Sequence, residues 1–359
     1  MHSARRSHVD VPLLGAILAL SGLSLMILYS AGGGNIDLIY RQGMRLFVAL
    51  IVMFGLTLVR PESLRRWAPH LYLSGIVILA LVLIIGNVGK GAQRWLDLGF
   101  FRFQPAEIMK IAGPMMVAWV LTRNPLPMGL IGTLVATVAA LAPAVLVILQ
   151  PDLGTAILIS VAGLLVVFLA GLRWQYISLT LALVFAAAPV MWFNLHEYQQ
   201  RRISTLFDPY SDPLGAGYHT IQSTIAVGSG GLYGKGWVGG SQSQLEFIPE
   251  RSTDFIFAVF AEEFGLLGSV LLLMLYLFIV GRGLIIAFNA PDSFSRLLCA
   301  SLSLTFFFYV FVNIGMVTGI LPVVGVPLPL ISYGGTSMVT LMAGFGIMMS
   351  IHTRKKLMA

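Results

Sequence analysis

The chain has 359 residues, of which 57% are hydrophobic and only 10% are charged, and its net charge is +7. Soluble globular domains carry roughly 25% charged residues, so this composition excludes a soluble globule and predicts an all-α polytopic integral membrane protein. The positive charge suits contact with anionic membrane lipids. The basic residues are too scattered along the chain to form a nucleic-acid interface, so we expect no nucleic acid as a partner.

Ten segments are apolar over about the 20 residues that a membrane-spanning helix needs, and they predict ten transmembrane helices. The first segment follows basic residues as a signal peptide would, but no small-residue cleavage site stands out after it, so we expect a retained helix. Residues 1–359 should form a single membrane domain. The segments lie near 11–31, 43–60, 68–86, 105–122, 128–149, 153–171, 175–193, 254–282, 295–319 and 332–351.

The distribution of Lys and Arg predicts the orientation of these helices. Basic residues are concentrated in the short turns that share one side with the N-terminus, so the positive-inside rule places both termini in the cytoplasm. The basic residues on the outer side run against this bias and call for another explanation. They are Arg41, Arg45, Lys90, Arg94, Arg102, Lys110, Arg201, Arg202, Lys235 and Arg251.

Two longer segments fall on the outer side. Residues 87–104 read as a short polar loop, and residues 194–253 form a loop far longer than the usual connection. Loops of that length are usually functional or disordered. Because this one alternates aromatic, charged and apolar residues, we expect it to be ordered on the membrane surface, with short amphipathic helices such as 218–227.

The first outer segment concentrates cations around an indole. Lys90, Arg94 and Arg102 surround Trp95. Lys and Arg are the natural partners of phosphate oxygens, so one interpretation is a cationic cradle for a phosphorylated lipid headgroup. The alternative is an ordinary solvated loop.

Ionisable residues also lie at the starts of the fourth and sixth segments. Glu107 and Lys110 are three residues apart, which puts them on one helical face just after Pro105, a residue that suits the first turn of a helix. They could form a local ion pair that stabilises the helix, but ionisable groups at membrane depth usually line a cavity. Asp152 opens the sixth segment in the same way, and simple helix capping is its alternative.

Two segments rich in Gly or Pro predict irregular backbone. Gly228–Gly240 resembles a phosphate-binding loop, but position 229 is Ser where that motif needs Gly, and position 236 is Gly where it needs Ser or Thr. Turn geometry and close backbone approach therefore explain these glycines better. Between 315 and 336, three prolines predict a break in the helix, which could line a cavity or form only a turn.

Asp254 is the most informative residue, because it stands where the long polar loop runs into a long apolar helix. A carboxylate there would lie at the outer membrane surface, within reach of water and of a lipid headgroup. The alternative is an N-cap or first-turn acid, which favours the positive end of a helix. The neighbouring Glu250 and Arg251 make a charge cluster, which favours a functional role.

These motifs together resemble the SEDS family (shape, elongation, division and sporulation). Within that family the resemblance is to the RodA elongation branch more than to the FtsW division branch, and it covers essentially the whole chain. The segments that carry it are Gln93–Gly99, Phe103–Lys110, Gln150–Thr155, Asp208–Gly217, Gln242–Glu263, Asn313–Leu330 and Ser332–Thr336.

The resemblance implies a peptidoglycan glycosyltransferase of the bacterial cytoplasmic (inner) membrane, which polymerises lipid II for lateral cell-wall elongation and rod shape. It implies a class B penicillin-binding protein transpeptidase and the elongation machinery as partners, and an active site on the extracytoplasmic face. The family's essential acid corresponds to Asp254. Its cavity residues correspond to Trp95, Arg102, Glu107, Lys110 and Asp152.

The implied reaction inverts an α-linked donor to a β-1,4 product and releases undecaprenyl pyrophosphate. Such a transfer needs a base on the attacking hydroxyl and cations where the leaving charge develops. We therefore expect Asp254 to be the base. The sequence requires no cofactor, although Glu107 and Asp152 could either orient Lys110 or bind a divalent cation such as Mg²⁺ or Mn²⁺. The candidates for the pyrophosphates are Arg94, Arg102, Lys110 and Arg251.

Two other classes of function fit parts of the sequence. A lipid II flippase would explain ten helices and a headgroup cavity, but it predicts essential charges near the bilayer midplane rather than at the outer face. A non-catalytic scaffold for a penicillin-binding protein would not need the Glu107 and Lys110 pair within the membrane. Lipid II translocation in vesicles would separate the enzyme from the flippase.

Overall fold

The computed structural model describes residues 9–89, 92–97, 102–123, 126, 129–172, 175, 176, 178, 182, 186, 193, 197–213 and 215–354. Within these residues the chain is predominantly helical, in agreement with the predicted class. The helices are α1 Val11–Ala31, α2 Ile36–Thr57, α3 Pro61–Ile85, α4 Pro105–Leu121, α5 Leu130–Ile148, α6 Leu153–Leu169, α7 Glu197–Phe207, α8 Ala216–Ser229, α9 Ser241–Gln244, α10 Ile256–Phe288, α11 Ser293–Val317 and α12 Thr336–Thr353.

Six of the described helices are long and apolar enough to cross a membrane. They are α1, α2, α3, α5, α10 and α11. Helix α6 is apolar but shorter. The predicted seventh span, 175–193, lies almost wholly outside the described residues. The structure therefore agrees with a multi-pass membrane protein, and the count of ten spans stays a prediction.

Several helices begin where the sequence predicts. Asp10 caps α1 by accepting a hydrogen bond from the Leu13 amide at 3.0 Å. Pro105 occupies the first turn of α4, as expected. Asp152 caps α6 by accepting a bond from the Thr155 amide at 3.3 Å, which confirms its predicted capping role. These caps satisfy amides that a helix leaves without a partner in its first turn.

The helix expected at Asp254 begins later than predicted. Helix α10 starts at Ile256, and its N-cap is Phe255, which makes no side-chain capping bond. Asp254 therefore precedes the cap, so the prediction that it is an N-cap or first-turn acid was wrong. The same helix continues to Phe288, beyond the predicted end at Arg282, because Arg282 is itself a good helix former and the residues after it are also apolar.

Helix α10 is interrupted at Gly265, where φ is 65°. The glycine-rich segment, residues 230–240, replaces the hydrogen bonds that the interruption removes. The Lys235 amide donates to the Glu262 carbonyl at 3.0 Å, and the Leu266 amide donates to the Gly231 carbonyl at 2.9 Å. Close backbone approach therefore accounts for Gly230 and Gly234, where a Cβ would collide with the carbonyls of Ala261 and Glu263.

The segment 87–104, expected to be only a polar loop, contains a small antiparallel sheet in the order β1-β2-β3. The three strands are β1 Asn87–Gly89, β2 Ala92–Asp97 and β3 Arg102–Phe103. The register pairs Asn87 with Trp95 and Asp97 with Arg102. The sequence did not predict the sheet because strands this short have no hydrophobic alternation to detect.

The helices are arranged around a cavity. Helix α2 packs along α12, and α4 packs against α3, α5, α6 and α11. Helix α10 packs against α1, α11 and α8. Residues 318–335, between α11 and α12, contain no helix or strand, which confirms the predicted break. This segment and the turn at 250–255 together close one end of the space between α2, α3, α4 and α12.

Candidate active site

A cavity of about 1400 Å³ lies between α2, α3, α4 and α12. Pockets for drug-sized ligands are typically about 300–1,000 Å³, so this one suits a larger molecule. Polar side chains gather at the end closed by the turn at 250–255. They are Arg45, Arg94, Glu107, Glu250, Thr253, Asp254 and Tyr333, together with the indole of Trp95.

The rest of the cavity is mostly apolar, apart from the hydroxyls of Thr336, Ser337 and Thr340, and follows the helices away from the polar end. Its lining on α2 runs from Met44 to Leu56, which at 1.5 Å per residue is about 18 Å. Val48 and Trp67 line it and are 48% and 51% exposed, so this part of the cavity is open rather than sealed within the helices. An amphipathic ligand with a charged head and a long apolar tail matches this division.

Asp254 is half-buried in the turn before α10. Hydrogen bonds to the main chain hold this turn. The Asn313 side-chain amide donates to the Asp254 carbonyl at 2.8 Å, and the Ser332 hydroxyl donates to the Thr253 carbonyl at 2.6 Å. The Tyr333 amide donates to the Ser252 carbonyl at 2.8 Å. The broken segment after α11 therefore fixes the position of Asp254.

Two backbone features adjoin the carboxylate. Gly325 has φ of 75°, and a Cβ there would lie 3.4 Å from Asp254 Oδ2, in van der Waals contact with the carboxylate. Glu250 has φ of 50°, an unusual conformation for a residue with a side chain. Its carboxylate accepts a bond from the Thr253 hydroxyl at 2.8 Å. A second acidic side chain therefore faces the same cavity as Asp254.

Glu107 and Lys110 form the local ion pair that the sequence allowed. Lys110 Nζ lies 2.7 Å from Glu107 Oε1, and both side chains are buried. Glu107 lines the cavity, whereas Lys110 points away from it and lies 5.2 Å from the ring centroid of Tyr309. Within the described part of the chain, Glu107 Oε2 is buried without a hydrogen-bond partner. Lys110 can therefore act on a ligand in this cavity only through Glu107.

Asp152 anchors Arg94. The carboxylate lies 3.3 Å from Arg94 Nη1 and accepts a bond from Gln104 Nε2 at 3.2 Å, in addition to capping α6. Arg94 lines the cavity, as Trp95 does, and Asp152 lies behind it. Asp152 thus both caps a helix and holds a cation of the site in place.

The structure does not bring Arg251 to the cavity. Its Nη2 lies 2.8 Å from Glu246 Oε1, and its Nη1 donates to the Ser243 carbonyl. Lys90 and the side chain of Arg102 lie outside the described residues. The roles expected for these three cations therefore stay predictions.

Four of the residues gathered at the polar end were not among the predicted site residues: Arg45, Glu250, Thr253 and Tyr333. Glu250 and Thr253 neighbour Asp254 in sequence, which was a usable signal. Arg45 belonged to the outer basic residues that opposed the insertion bias. Nothing in the sequence brings α2 beside residue 333, because that contact depends on the packing of α2 against α12.

The carboxylates of the site do not form a metal centre within the described residues, where no group of three or more His, Cys, Asp or Glu could hold an ion. Glu107 faces Lys110 and Asp152 faces Arg94, so each carboxylate already has a cation beside it. The divalent ion that the sequence left open for these two residues stays a prediction.

The fold and the cavity define a multi-pass helical membrane protein with a large cavity that is polar at one end. The chain matches the FtsW/RodA/SpoVE family, a family of cell cycle proteins, over residues 8–357. It therefore belongs to this family, which is the SEDS family that its motifs resemble.

Characterised relatives cover nearly the whole chain. It is 53% identical to peptidoglycan glycosyltransferase MrdB of Escherichia coli K12 over 98% of this chain and 95% of that protein. It is 34% identical to MrdB of Helicobacter pylori over 95% of this chain and 89% of that protein. It is 37% identical to the probable peptidoglycan glycosyltransferase FtsW of Escherichia coli O6:H1 over 88% of this chain and 77% of that protein.

Solved structures share the fold. A peptidoglycan synthase complex that coordinates polymerization and crosslinking contains a chain that matches with a TM-score of 0.84 at 36% identity, over 96% of this chain and 97% of that chain. The rod shape determining protein RodA of Thermus thermophilus matches with a TM-score of 0.72 at 30% identity, over 96% of both chains. These likenesses extend across the helices that surround the cavity.

Proposed function

We propose that this chain is a RodA-type peptidoglycan glycosyltransferase, which joins the disaccharide units of lipid II into β-1,4 glycan strands for cell-wall elongation. The observation that carries the proposal is the position of Asp254, a carboxylate at the polar end of a cavity whose remaining walls are mostly apolar. Relatives named as peptidoglycan glycosyltransferases support the same activity.

The reaction forms one bond and breaks another. The 4-hydroxyl oxygen of an acceptor sugar attacks the anomeric carbon of the donor, and the bond from that carbon to the pyrophosphate oxygen breaks. The electron pair leaves with undecaprenyl pyrophosphate, and the hydroxyl proton passes to Asp254. One displacement inverts the anomeric carbon, as the change from an α-linked donor to a β-linked product requires. No strong acid is needed, because pyrophosphate leaves as an anion.

Asp254 is the group that takes the proton in this proposal. A general base must lie within hydrogen-bond reach of the hydroxyl that it activates. Ser332 donates to the Thr253 carbonyl and Asn313 donates to the Asp254 carbonyl. These two hydrogen bonds restrict the turn, which favours one position of the carboxylate. Glu250 faces the same space, where it can accept a hydrogen bond from a sugar hydroxyl.

The cations of the site would stabilise the leaving pyrophosphate. Arg94 lines the cavity and Asp152 holds it in place, while Trp95 offers a flat apolar face beside it. Arg102, Lys90 and Arg251 stay candidates from the sequence. Lys110 acts by holding Glu107, a role in positioning rather than in contact with substrate.

The apolar part of the cavity would take the undecaprenyl chain. Its walls come from α2, α3, α4 and α12, and a lateral opening between these helices would give a lipid tail a route from the bilayer. A substrate could then enter from the membrane without leaving it.

In the cell, we place this enzyme in the bacterial inner membrane, with ten spans, cytoplasmic termini and the cavity's polar end outside. The long segment 194–253 would lie on the outer surface as part of one membrane domain, 1–359. A class B penicillin-binding protein would cross-link the new strands together with the elongation machinery. The likeness to a chain of a peptidoglycan synthase complex supports such a partner.

The test is polymerisation of purified lipid II by the purified full-length chain together with its transpeptidase, in detergent or vesicles. The proposal predicts long glycan strands that a muramidase digests, with undecaprenyl pyrophosphate released in equal amount. A parallel assay measures translocation of fluorescent lipid II across vesicles that contain the chain. Translocation without polymer from a folded complex would contradict the proposal and favour a flippase.

A further inference from the structure

Arg45 stands at the boundary between the two parts of the cavity. It lies on α2, half-buried, and lines the polar end, while Val48, one turn further along the same helix, lines the apolar part. The guanidinium carbon lies 4.2 Å above the centre of the Tyr333 ring. Tyr333 in turn donates its amide hydrogen to Ser252, two residues before Asp254, at 2.8 Å.

The contacts of Arg45 differ from those of the described cations that were predicted for the site. Each of those contacts a carboxylate: Arg94 with Asp152 at 3.3 Å, Lys110 with Glu107 at 2.7 Å, and Arg251 with Glu246 at 2.8 Å. Within the described part of the chain, Arg45 has no ion pair, and its contact is the ring of Tyr333. Its positive charge is therefore available to an anion in the cavity.

Building on the proposed function, we infer that Arg45 binds the pyrophosphate of the lipid-linked substrate and of the released product. A guanidinium presents a planar fork of N–H donors that matches two phosphate oxygens at once. The Tyr333 ring, 4.2 Å from the guanidinium carbon, covers one face of the guanidinium and would restrict its position, and the N–H donors at its edge would then bind the ligand. The half-buried setting weakens competition from water and so strengthens the contact.

The position on α2 sets where the phosphates lie. A polyprenyl chain against Val48 and the rest of the apolar lining would bring its pyrophosphate beside Arg45, at the mouth of the polar end. Tyr333 is hydrogen-bonded to the turn that carries Asp254. The Arg45 guanidinium, the Tyr333 ring and the proposed base therefore form one connected unit. The leaving group and the proton acceptor would thus be held at a fixed spacing.

The experiment measures polymerisation of purified lipid II and its inhibition by undecaprenyl pyrophosphate, with undecaprenol as the probe that lacks phosphate. The variants are Arg45→Gln, Arg45→Lys and Tyr333→Leu. Arg41→Gln is the matched control, because it removes the same charge from the exposed Arg41, one turn earlier on α2 and outside the cavity lining. Melting temperatures of the purified variants monitor folding.

Loss of one charge-assisted contact predicts that Arg45→Gln raises the KM for lipid II and the inhibitory concentration of undecaprenyl pyrophosphate by about tenfold or more. Inhibition by undecaprenol should not change. Arg45→Lys, which keeps the charge but loses the fork, and Tyr333→Leu, which loses the stacking, should show smaller increases. Arg41→Gln should behave as the unaltered chain.

Two results would overturn the inference separately from the proposed function. If the unaltered chain polymerises lipid II and folded Arg45→Gln or Arg45→Lys keeps the same KM and inhibition, Arg45 does not bind pyrophosphate. If undecaprenol and undecaprenyl pyrophosphate lose inhibition equally in Arg45→Gln, the residue shapes the tail site instead. Failure of the unaltered complex to polymerise would contradict the proposed function itself.

Discussion

The side-chain amide of Asn313 donates to the main-chain carbonyl of Asp254 at 2.8 Å. The same nitrogen donates to the Val326 carbonyl at 2.7 Å. Asn313 is fully buried on α11, so one side chain ties the turn that carries the proposed base to the broken segment beside it. The position of the carboxylate therefore depends on a helix that does not itself line the cavity.

Asn313→Ala should lower the rate of polymerisation in protein that still folds. It leaves two main-chain carbonyls without their donor, which costs about 1–3 kcal/mol, and a carboxylate out of place lowers kcat by about tenfold or more. Steady-state rates at saturating lipid II measure the effect. Thr305→Val is the matched control, because that buried hydroxyl on α11 has no hydrogen-bond partner within the described chain. Equal rates in the two variants would refute the positioning role.

Lys110→Met should destabilise the protein by leaving Glu107 buried beside an uncharged neighbour, at a cost of about 3–5 kcal/mol. Combining it with Glu107→Gln removes the buried charge and should restore much of the melting temperature. Polymerisation should stay at least about tenfold below normal in the double variant, because Glu107→Gln removes a negative charge from the cavity lining. Full activity in the folded double variant would show that the pair serves stability alone.

The opposite end of the bundle is held by a charge cluster. Asp10 is buried and lies 2.6 Å from Arg282 Nη2 and 3.3 Å from His352 Nε2, which joins α1, α10 and α12. Asp10→Asn should lower stability by about 3 kcal/mol, measured by thermal unfolding in detergent. Glu62→Gln, which breaks the exposed contact with Arg354, should cost less than about 1 kcal/mol. A comparable loss in both variants would contradict this.

The same cluster predicts a pH dependence. Burial raises the pKa of Asp10, but hydrogen bonds from Arg282 and from the Leu13 amide, with the charges of His352 and Arg282, bring it below its ordinary value. The stabilisation is therefore fully present above the pKa of an unfolded aspartate, about 3.9, and is lost as the pH falls through the lower folded value. Between pH 7 and about pH 3, the melting temperature of Asp10→Asn should fall less steeply than that of the unaltered chain, because the variant lacks this carboxylate.

Gly234→Ala should disrupt the contact between the glycine-rich segment and the break in α10. A Cβ at Gly234, where φ is 77°, would collide with the Glu263 carbonyl. The segment would have to move away, and stability should fall by more than about 1 kcal/mol. Gly228→Ala is the control, since nothing lies within 4 Å of its Cβ position on α8. If both variants unfold at the normal temperature, the segment does not support the helix.

The helical class and most helix positions could be predicted, because long apolar runs and helix-start residues are local signals. Pro105 and Asp152 begin α4 and α6 as expected. The start of α10 could not be predicted in the same way, because the turn at Asp254 is held by Asn313 and Ser332, which are distant in sequence. The break at Gly265 was also not predicted, because it depends on hydrogen bonds to the segment 230–240.

The site was predicted in its parts more than in its arrangement. Asp254, Glu107, Arg94 and Trp95 meet at one cavity, as their residue types suggested. Arg45 was not predicted for it, because a lone arginine in an apolar segment carries no motif. The position of Arg45 in the site depends on its contact with the Tyr333 ring, which the packing of α2 against α12 brings about.

The most direct test compares Asp254→Asn with Asp37→Asn in the purified complex. Asp37 is exposed at the start of α2, so its substitution is matched in chemistry and far from the proposed chemistry. With lipid II binding and melting temperature measured in parallel, Asp254→Asn should bind substrate and yield no glycan polymer, while Asp37→Asn polymerises normally. Near-normal polymer from folded Asp254→Asn would contradict the assignment of Asp254 as the base.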